Sequence, residues 1–238
     1  MILRQVFPEA GDPIDTTGDD CRDRLTQLYR PLRDTWLRLN LIASVDGSAR
    51  GVDGTSETLS SKADRAVLGA IRSVSDVVLI GAATLRAEGY LLPRRARLAV
   101  LTASGDLNGA RVQEETDPER VLVMGPATAE ATARASFPHP FTFIPLPVAG
   151  DGGADPGSAI RALHDRGDLR IVCEGGPRLA AHLIDHRLID ELCLSTSPRL
   201  VGGTLPVLGS AHRPEQRLAL HQLLIDDAGG LYARWLPS

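Results

Sequence analysis

Four short apolar runs constrain this chain more than any other feature: Asp76–Ile80 (DVVLI), Leu98–Thr102, Arg120–Met124 and Leu169–Cys173. Continuous apolar character over so few residues reads as a strand buried on both faces. Between such runs lie segments of helical spacing. The first starts near Ser60 or Ser61, either a good N-cap, and carries Ala63, Val67, Ala70, Ile71 and Val74 on one face. Others fall at Ala82–Glu88, Pro126–Ala135, Gly157–Arg166 and Pro177–His186. Strands alternating with helices imply a mostly parallel sheet covered on both sides. Trp36–Val45 is the first strong strand and Phe141–Ile144 a further one.

After residue 190 the pattern changes. Glu191–Thr196, Arg217–Leu224 and Leu231–Trp235 are strand-like, and Asp226-Asp227-Ala228-Gly229-Gly230 between the last two is a hairpin signal. The hairpin is expected to add antiparallel strands at an edge of the sheet. Residues 1–35 are mixed and polar, and read as an N-terminal extension with one short helix around Asp20–Tyr29. Leu146–Gly157 is rich in Gly, Pro and Asp but reads as a surface loop, because neither side of it holds a complete sheet. Residues 36–238 then form one α/β domain.

Composition removes several function classes. A chain of 238 residues buries roughly 70–75% of its extended surface and needs no metal or disulfide staple. A net charge of −4 with dispersed basic residues lacks the basic stripe of a nucleic-acid-binding domain. No apolar stretch approaches the roughly 20 residues of a membrane span, and the N-terminus has no secretory h-region, so a cytoplasmic location is expected. Lys62 is the only lysine, which leaves no Schiff-base lysine elsewhere. Cys21, Cys173 and Cys193 are odd in number and lack a C-x-x-C, so free thiols are expected and neither a disulfide framework nor a zinc knuckle is supported. His182 and His186 stand at i, i+4 with no third ligand near them in sequence, and no metal is expected.

Two glycine-containing turns follow buried strands and open helices: Leu79-Ile80-Gly81-Ala82-Ala83-Thr84 and Val172-Cys173-Glu174-Gly175-Gly176-Pro177. Unsatisfied N–H groups at a helix start attract phosphate, and glycine allows close approach to the backbone. Two such turns in a parallel sheet can hold a dinucleotide at its carboxyl edge, or simply make tight strand–helix turns. Neither the G-x-G-x-x-G fingerprint nor the P-loop is present. Asp46-Gly47, just past the first strand, is either an ordinary turn or a pocket-mouth carboxylate. In the second case it can hold a polar ring, or donate a proton if its pKa is raised.

Taken in order, these segments resemble one family. Leu39–Gly47 (LNLIASVDG), Leu59–Arg65, Val78–Arg86 (VLIGAATLR), Val172–Leu179 (VCEGGPRL), Leu188–Glu191 and Ser197–Gly203 resemble the markers of the riboflavin-biosynthesis pyrimidine reductases. Those are the C-terminal half of bifunctional deaminase-reductases. The resemblance implies a three-layer α/β fold like that of dihydrofolate reductase, with a mostly parallel sheet and C-terminal antiparallel strands. It also implies NADPH as hydride donor, a small-molecule substrate and a homodimer. By this resemblance Gly81, Ala82 and Thr84, and Glu174, Gly175, Gly176, Arg178 and Leu179, match the cofactor's two phosphate turns. Thr102 and Ser104 fall where the family holds the adenosine ribose and its 2′-phosphate. Asn40, Asp46 and Ser60 match positions at the substrate, with Asp46 as the main anchor and catalytic residue.

The chain departs from the family in places. It has no H-x-E…P-C-x-x-C deaminase motif, and Thr58 stands where Trp is common. Ala87–Arg94 replaces the usual A-D-D-P-x-L-T-V-R, a change shared with stand-alone members. Arg94, Arg95 or Arg97 is expected either to meet a phosphate or to form a solvated face. The function expected is reduction of a ribosylaminopyrimidine 5′-phosphate to its ribitylamino product. The alternatives are reduction of a dihydrofolate or related pterin, and a non-catalytic NADPH-binding module.

Overall fold

The computed structural model describes residues 1–88, 92–112, 117–149, 153–202, 205–209 and 215–238. Its centre is β3 (Trp36–Ser44), flanked by β8 (Arg170–Cys173) and β9 (Glu191–Ser197). Beyond β8 follow β4 (Val77–Gly81), β5 (Arg97–Leu101), β6 (Val121–Pro126) and β7 (Thr142–Leu146). All seven run parallel. The apolar runs are these strands because both faces are covered. Val78 and Ile80 of β4 pack under one helical layer, while Val77 and Leu79 pack under the other. The first layer contains α1 (Cys21–Leu28), α2 (Lys62–Ser73), α3 (Ala82–Glu88) and α4 (Glu130–Ser136). The second contains α5 (Pro156–Asp165) and α6 (Pro177–Asp185). The fold is therefore the three-layer, dihydrofolate-reductase-like one, with a mostly parallel sheet.

On the other side of β9 the sheet turns antiparallel. β11 (Leu231–Pro237) pairs with β9, and β10 (Leu218–Asp226) pairs with β11. The hairpin does not end the sheet. β1 (Ile2–Phe7) pairs antiparallel with β10, and β2 (Ile14–Asp15) pairs with β1, so the described residues form an 11-stranded sheet. The first 35 residues thus supply two strands and α1. The strand Ile2–Phe7 has only Leu3 fully buried, so its sequence carries little periodic signal. Pairing with a strand more than 200 residues away supplies the order that its local pattern lacks.

A buried charge cluster joins this N-terminal segment to the sheet. The Glu191 carboxylate accepts hydrogen bonds from Trp36 Nε1 at 2.8 Å, Arg38 Nε at 2.6 Å and Arg234 Nε. All three charged side chains are at most 2% exposed. The guanidiniums also donate outward, Arg38 to the Tyr29 carbonyl at 2.8 Å and Arg234 to the Leu28 carbonyl. These are carbonyls at the C-terminal end of α1, which need donors once buried.

The cysteines are free and buried. Burial pushes the Cys173 thiol up to about 12 and raises Cys21 and Cys193 as well. Native protein at pH 8 is expected to react with a thiol reagent such as DTNB only at the rate of unfolding. Rapid labelling of any cysteine would contradict this burial.

Candidate active site

The parallel sheet splits at its carboxyl edge. β8 pairs with β3 only over Trp36–Leu39 and with β4 only over Val77–Leu79, after which the chain leaves the sheet. Asn40–Ser44 of β3 therefore pair with β9 on one side and, among the described residues, with no strand on the other. A crevice opens between β3 and β4, the usual position of a ligand in an open parallel sheet.

The two glycine turns meet in this crevice. The Glu174 N–H donates to the Leu79 carbonyl at 3.0 Å, and the Gly81 N–H donates to the Gly175 carbonyl at 3.0 Å. Gly175 has φ of +100°, a conformation that side-chain-bearing residues rarely adopt, and a Cβ there would lie 3.4 Å from Leu41 Cδ2. A Cβ on Gly176 would lie 2.8 Å from the Thr84 hydroxyl of α3. Pro177 then opens α6 at the position where its missing N–H costs nothing. Gly81, Ala82, Thr84, Glu174, Gly175 and Gly176 are thus brought together. Bare backbone at the start of α6 and beside α3 makes a cradle of N–H donors suited to phosphate oxygens.

Other expected residues have different surroundings. The Glu174 carboxylate turns away from the turn and grips Arg72 of α2 through two hydrogen bonds, Nε at 2.7 Å and Nη2 at 2.6 Å. Arg178 is exposed at the start of α6, whereas the Leu179 side chain belongs to the core, leaving its N–H as the group of interest. Thr102 is buried, with its hydroxyl accepting the Gly105 N–H at 3.0 Å; Ser104 is exposed at the same strand end. Both follow β5, next to Gly81 across the ladder. Arg97 starts β5 at the opposite edge and pairs with Asp168, which removes it from any phosphate in the crevice. Arg94 and Arg95 are exposed. Gly89, Tyr90 and Leu91 of the altered segment lie outside the described residues.

Asp46 stands at the mouth on the β3 side. Its carboxylate accepts the Ser44 hydroxyl at 2.5 Å and the N–H groups of Gly202 at 2.8 Å and Val201 at 3.3 Å. The Ser44 hydroxyl, and then those two N–H groups, hold this carboxyl below the usual aspartate range. The pKa elevation that would make Asp46 a proton donor is absent. Instead, an ionised carboxylate ties the loop after β9 to the end of β3. Asn40 and Ser60 are both half-buried, and the Ser60 hydroxyl donates to Asp64 Oδ2 at 2.8 Å.

The RibD C-terminal domain model matches residues 35–228, most of the chain. This protein belongs to that family. It is 29% identical over 161 residues to the riboflavin biosynthesis protein RibD of Mycobacterium tuberculosis, covering 67% of this chain and 41% of that one. The chain thus spans about two-fifths of the length of that relative. It is 24% identical over 183 residues to a 2,5-diamino-6-ribosylamino-4(3H)-pyrimidinone 5′-phosphate reductase of Archaeoglobus fulgidus, covering 69% of this chain and 81% of the relative. A pyrimidine reductase-like protein of Corynebacterium diphtheriae superposes with a TM-score of 0.74 at 22% identity, covering 90% of this chain and 98% of that structure.

Asp64 and Arg72 were not among the site residues expected from sequence, although both lie in the helix that borders the crevice. An aspartate in the first turn of a helix reads as a favourable dipole partner, and an arginine in the last turn does too. No local signal separates that role from one at a site. The rings of His182 and His186 stack at 3.9 Å, and no group of three metal ligands occurs among the described residues. No helix among them is long and apolar enough to cross a membrane.

Proposed function

We propose that this protein is an NADPH-dependent reductase that converts 5-amino-6-(5-phosphoribosylamino)uracil to its ribitylamino product. The carrying observation is the meeting of the Gly81 and Gly175 turns in the crevice, joined by the Gly81 N–H to Gly175 carbonyl bond. The absence of side chains on Gly175 and Gly176 is what a closely held pyrophosphate requires, so the residues present fit NADPH. Thr84, Gly175, Gly176 and the N–H groups of Arg178 and Leu179 would hold its phosphates, with Gly81 tying the Gly175 turn in place through its own N–H and Ser104 at the ribose end. When bound, the cofactor supplies the hydride; the protein supplies position and electrostatics. Asn40 and Ser60 contact the substrate in this reading. Asp46 keeps the loop 199–202 closed against it and presents a fixed negative charge.

Asp46→Asn removes that charge and places amide hydrogens opposite the N–H groups of Val201 and Gly202. The expected result is a fall in kcat/KM of about tenfold or more, on the order of 1.4 kcal/mol, with NADPH affinity nearly intact. Unchanged turnover would show that the anchor lies elsewhere. The reading as a whole is tested by NADPH oxidation with this pyrimidine phosphate, its 2,5-diaminopyrimidinone counterpart and dihydrofolate side by side. Turnover of either pyrimidine phosphate supports it. Turnover of dihydrofolate alone replaces it with a pterin reductase, and NADPH binding without turnover of any of the three leaves a non-catalytic binding module.

A further inference from the structure

Arg94 and Arg95, which follow α3, have no task in the site as described. Both line a cavity of about 430 Å³ over α2. Its floor is one face of that helix, with Ala66, Gly69, Ala70 and Ser73 at helical spacing. One wall is the start of α1 with Thr16 before it, and the other is residues 92–95. No residue of either glycine turn lines it. Arg120, just before β6, donates to the Arg95 carbonyl at 2.9 Å and to the Pro93 carbonyl. That wall is thereby anchored at the amino end of the sheet, whereas the crevice lies at the carboxyl edge.

Gly69 is the informative residue of the floor. It stands inside α2, where glycine costs helix stability relative to alanine. Beyond its chain neighbours and the helix's own backbone, a Cβ there would meet no described atom within 4 Å. Packing among the described residues therefore does not call for glycine. What its missing side chain leaves is bare helix backbone at the bottom of the cavity, against which a flat ring can lie closely. Leu92 and Pro93 add apolar surface to the wall.

The charged groups of the lining are all of one sign. Arg22, Arg72, Arg94 and Arg95 contribute to it, and no carboxylate does. Arg72 is committed to Glu174. Arg22, Arg94 and Arg95 are exposed and pair with no carboxylate among the described residues. The charges of Asp20 and Asp15 reach the neighbouring Cys21, but Asp20 is paired with Arg24 and Asp15 is bonded by Thr17. The Thr16 hydroxyl is buried with no hydrogen-bond partner among the described residues, an unmet donor in the wall. Guanidiniums match the oxygens of a phosphate in charge and in geometry.

We infer that this cavity is a second ligand site, for a small organic phosphate of mononucleotide size. The ring of the ligand lies on the Gly69 face of α2, and its phosphate is held by Arg22, Arg94 and Arg95, with the Thr16 hydroxyl as a further donor. A volume of about 430 Å³ falls within the range of roughly 300–1,000 Å³ found for small-molecule sites. The site is separate from the crevice assigned to NADPH, and it stands or falls independently of the reductase reading.

The test titrates AMP, adenosine and inorganic phosphate into the full chain by calorimetry. AMP is expected to bind with a dissociation constant below about 1 mM, and about tenfold or more tighter than either of the other two. Gly69→Leu fills the floor, and the double variant Arg94→Glu/Arg95→Glu reverses the charge of the rim. Each is expected to weaken AMP by about tenfold or more, while Gly175→Val, in the crevice, leaves it within about threefold. The Tm of Gly69→Leu should match or exceed that of the wild type, because leucine favours a helix over glycine and enters open space. Its loss of binding is then not a loss of fold; should it fold poorly, the arginine variant decides alone. AMP affinity that survives in a folded Gly69→Leu protein, or in the arginine variant, overturns the site, and its loss in Gly175→Val instead would move the nucleotide to the crevice. AMP binding no tighter than adenosine or inorganic phosphate, or absent altogether, also overturns it.

Discussion

Glu191→Ala is expected to lower the unfolding free energy by about 3–5 kcal/mol, because it leaves the guanidiniums of Arg38 and Arg234 buried without their shared carboxylate. In a chain of this length the midpoint of thermal unfolding should fall by about 10 °C. A loss below about 1 kcal/mol would show that the cluster relaxes or admits water. Replacing the whole triad by apolar residues is not the harmless exchange it can be elsewhere. Arg38 and Arg234 also satisfy the Tyr29 and Leu28 carbonyls, which would be stranded. The cluster further sets an acid limit. Burial alone would raise the Glu191 carboxyl, but Arg38 and Arg234 hold it below the usual glutamate range. Its stabilisation is therefore complete above the unfolded-state value, about 4.3, and is lost as pH falls through the lower folded value. Acid unfolding of the wild type should steepen below about pH 4.3, and Glu191→Gln should flatten that limb.

Gly175→Val is the change expected to damage cofactor binding most. At φ of +100° a β-branched residue is an outlier, costing on the order of 1–3 kcal/mol, and its Cβ would press on Leu41. The local escape is to rotate the turn, which breaks the Gly81 N–H to Gly175 carbonyl bond and moves bare N–H groups out of the crevice. The NADPH dissociation constant should rise by about 100-fold, equivalent to roughly 2.7 kcal/mol, with a Tm lowered by only a few degrees. Quenching of the cofactor's fluorescence in a titration measures this. Affinity within about threefold of wild type would show that the cofactor does not lie on this turn. The same substitution separates a cofactor-binding protein from a mere fold-mate, since a strand–helix turn with no ligand would lose stability but no binding.

Much of this architecture can be read from local pattern. The apolar runs around Val78, Val100, Val123 and Val172 are buried from both sides, so their composition alone marks parallel strands. The glycine turns after Ile80 and Cys173 are equally visible, because short-range steric needs write themselves into adjacent residues. Long-range pairing is another matter. The strand Ile2–Phe7 has little pattern of its own, and its partner Leu218–Asp226 lies at the far end of the chain. The inward-facing Arg38 and Arg234 look like surface charges until Glu191 lies between them. Asp64 looks like a helix-start residue until the fold sets it in one cavity wall with Ser195 of β9 and Tyr232 of β11. By itself the sequence determined the parallel layers, the two turns and the family markers, since each depends on neighbours within a few residues. Only the tertiary structure decided which carboxylates are ionised, paired or desolvated, because burial and charge at a site come from residues that chain order keeps apart.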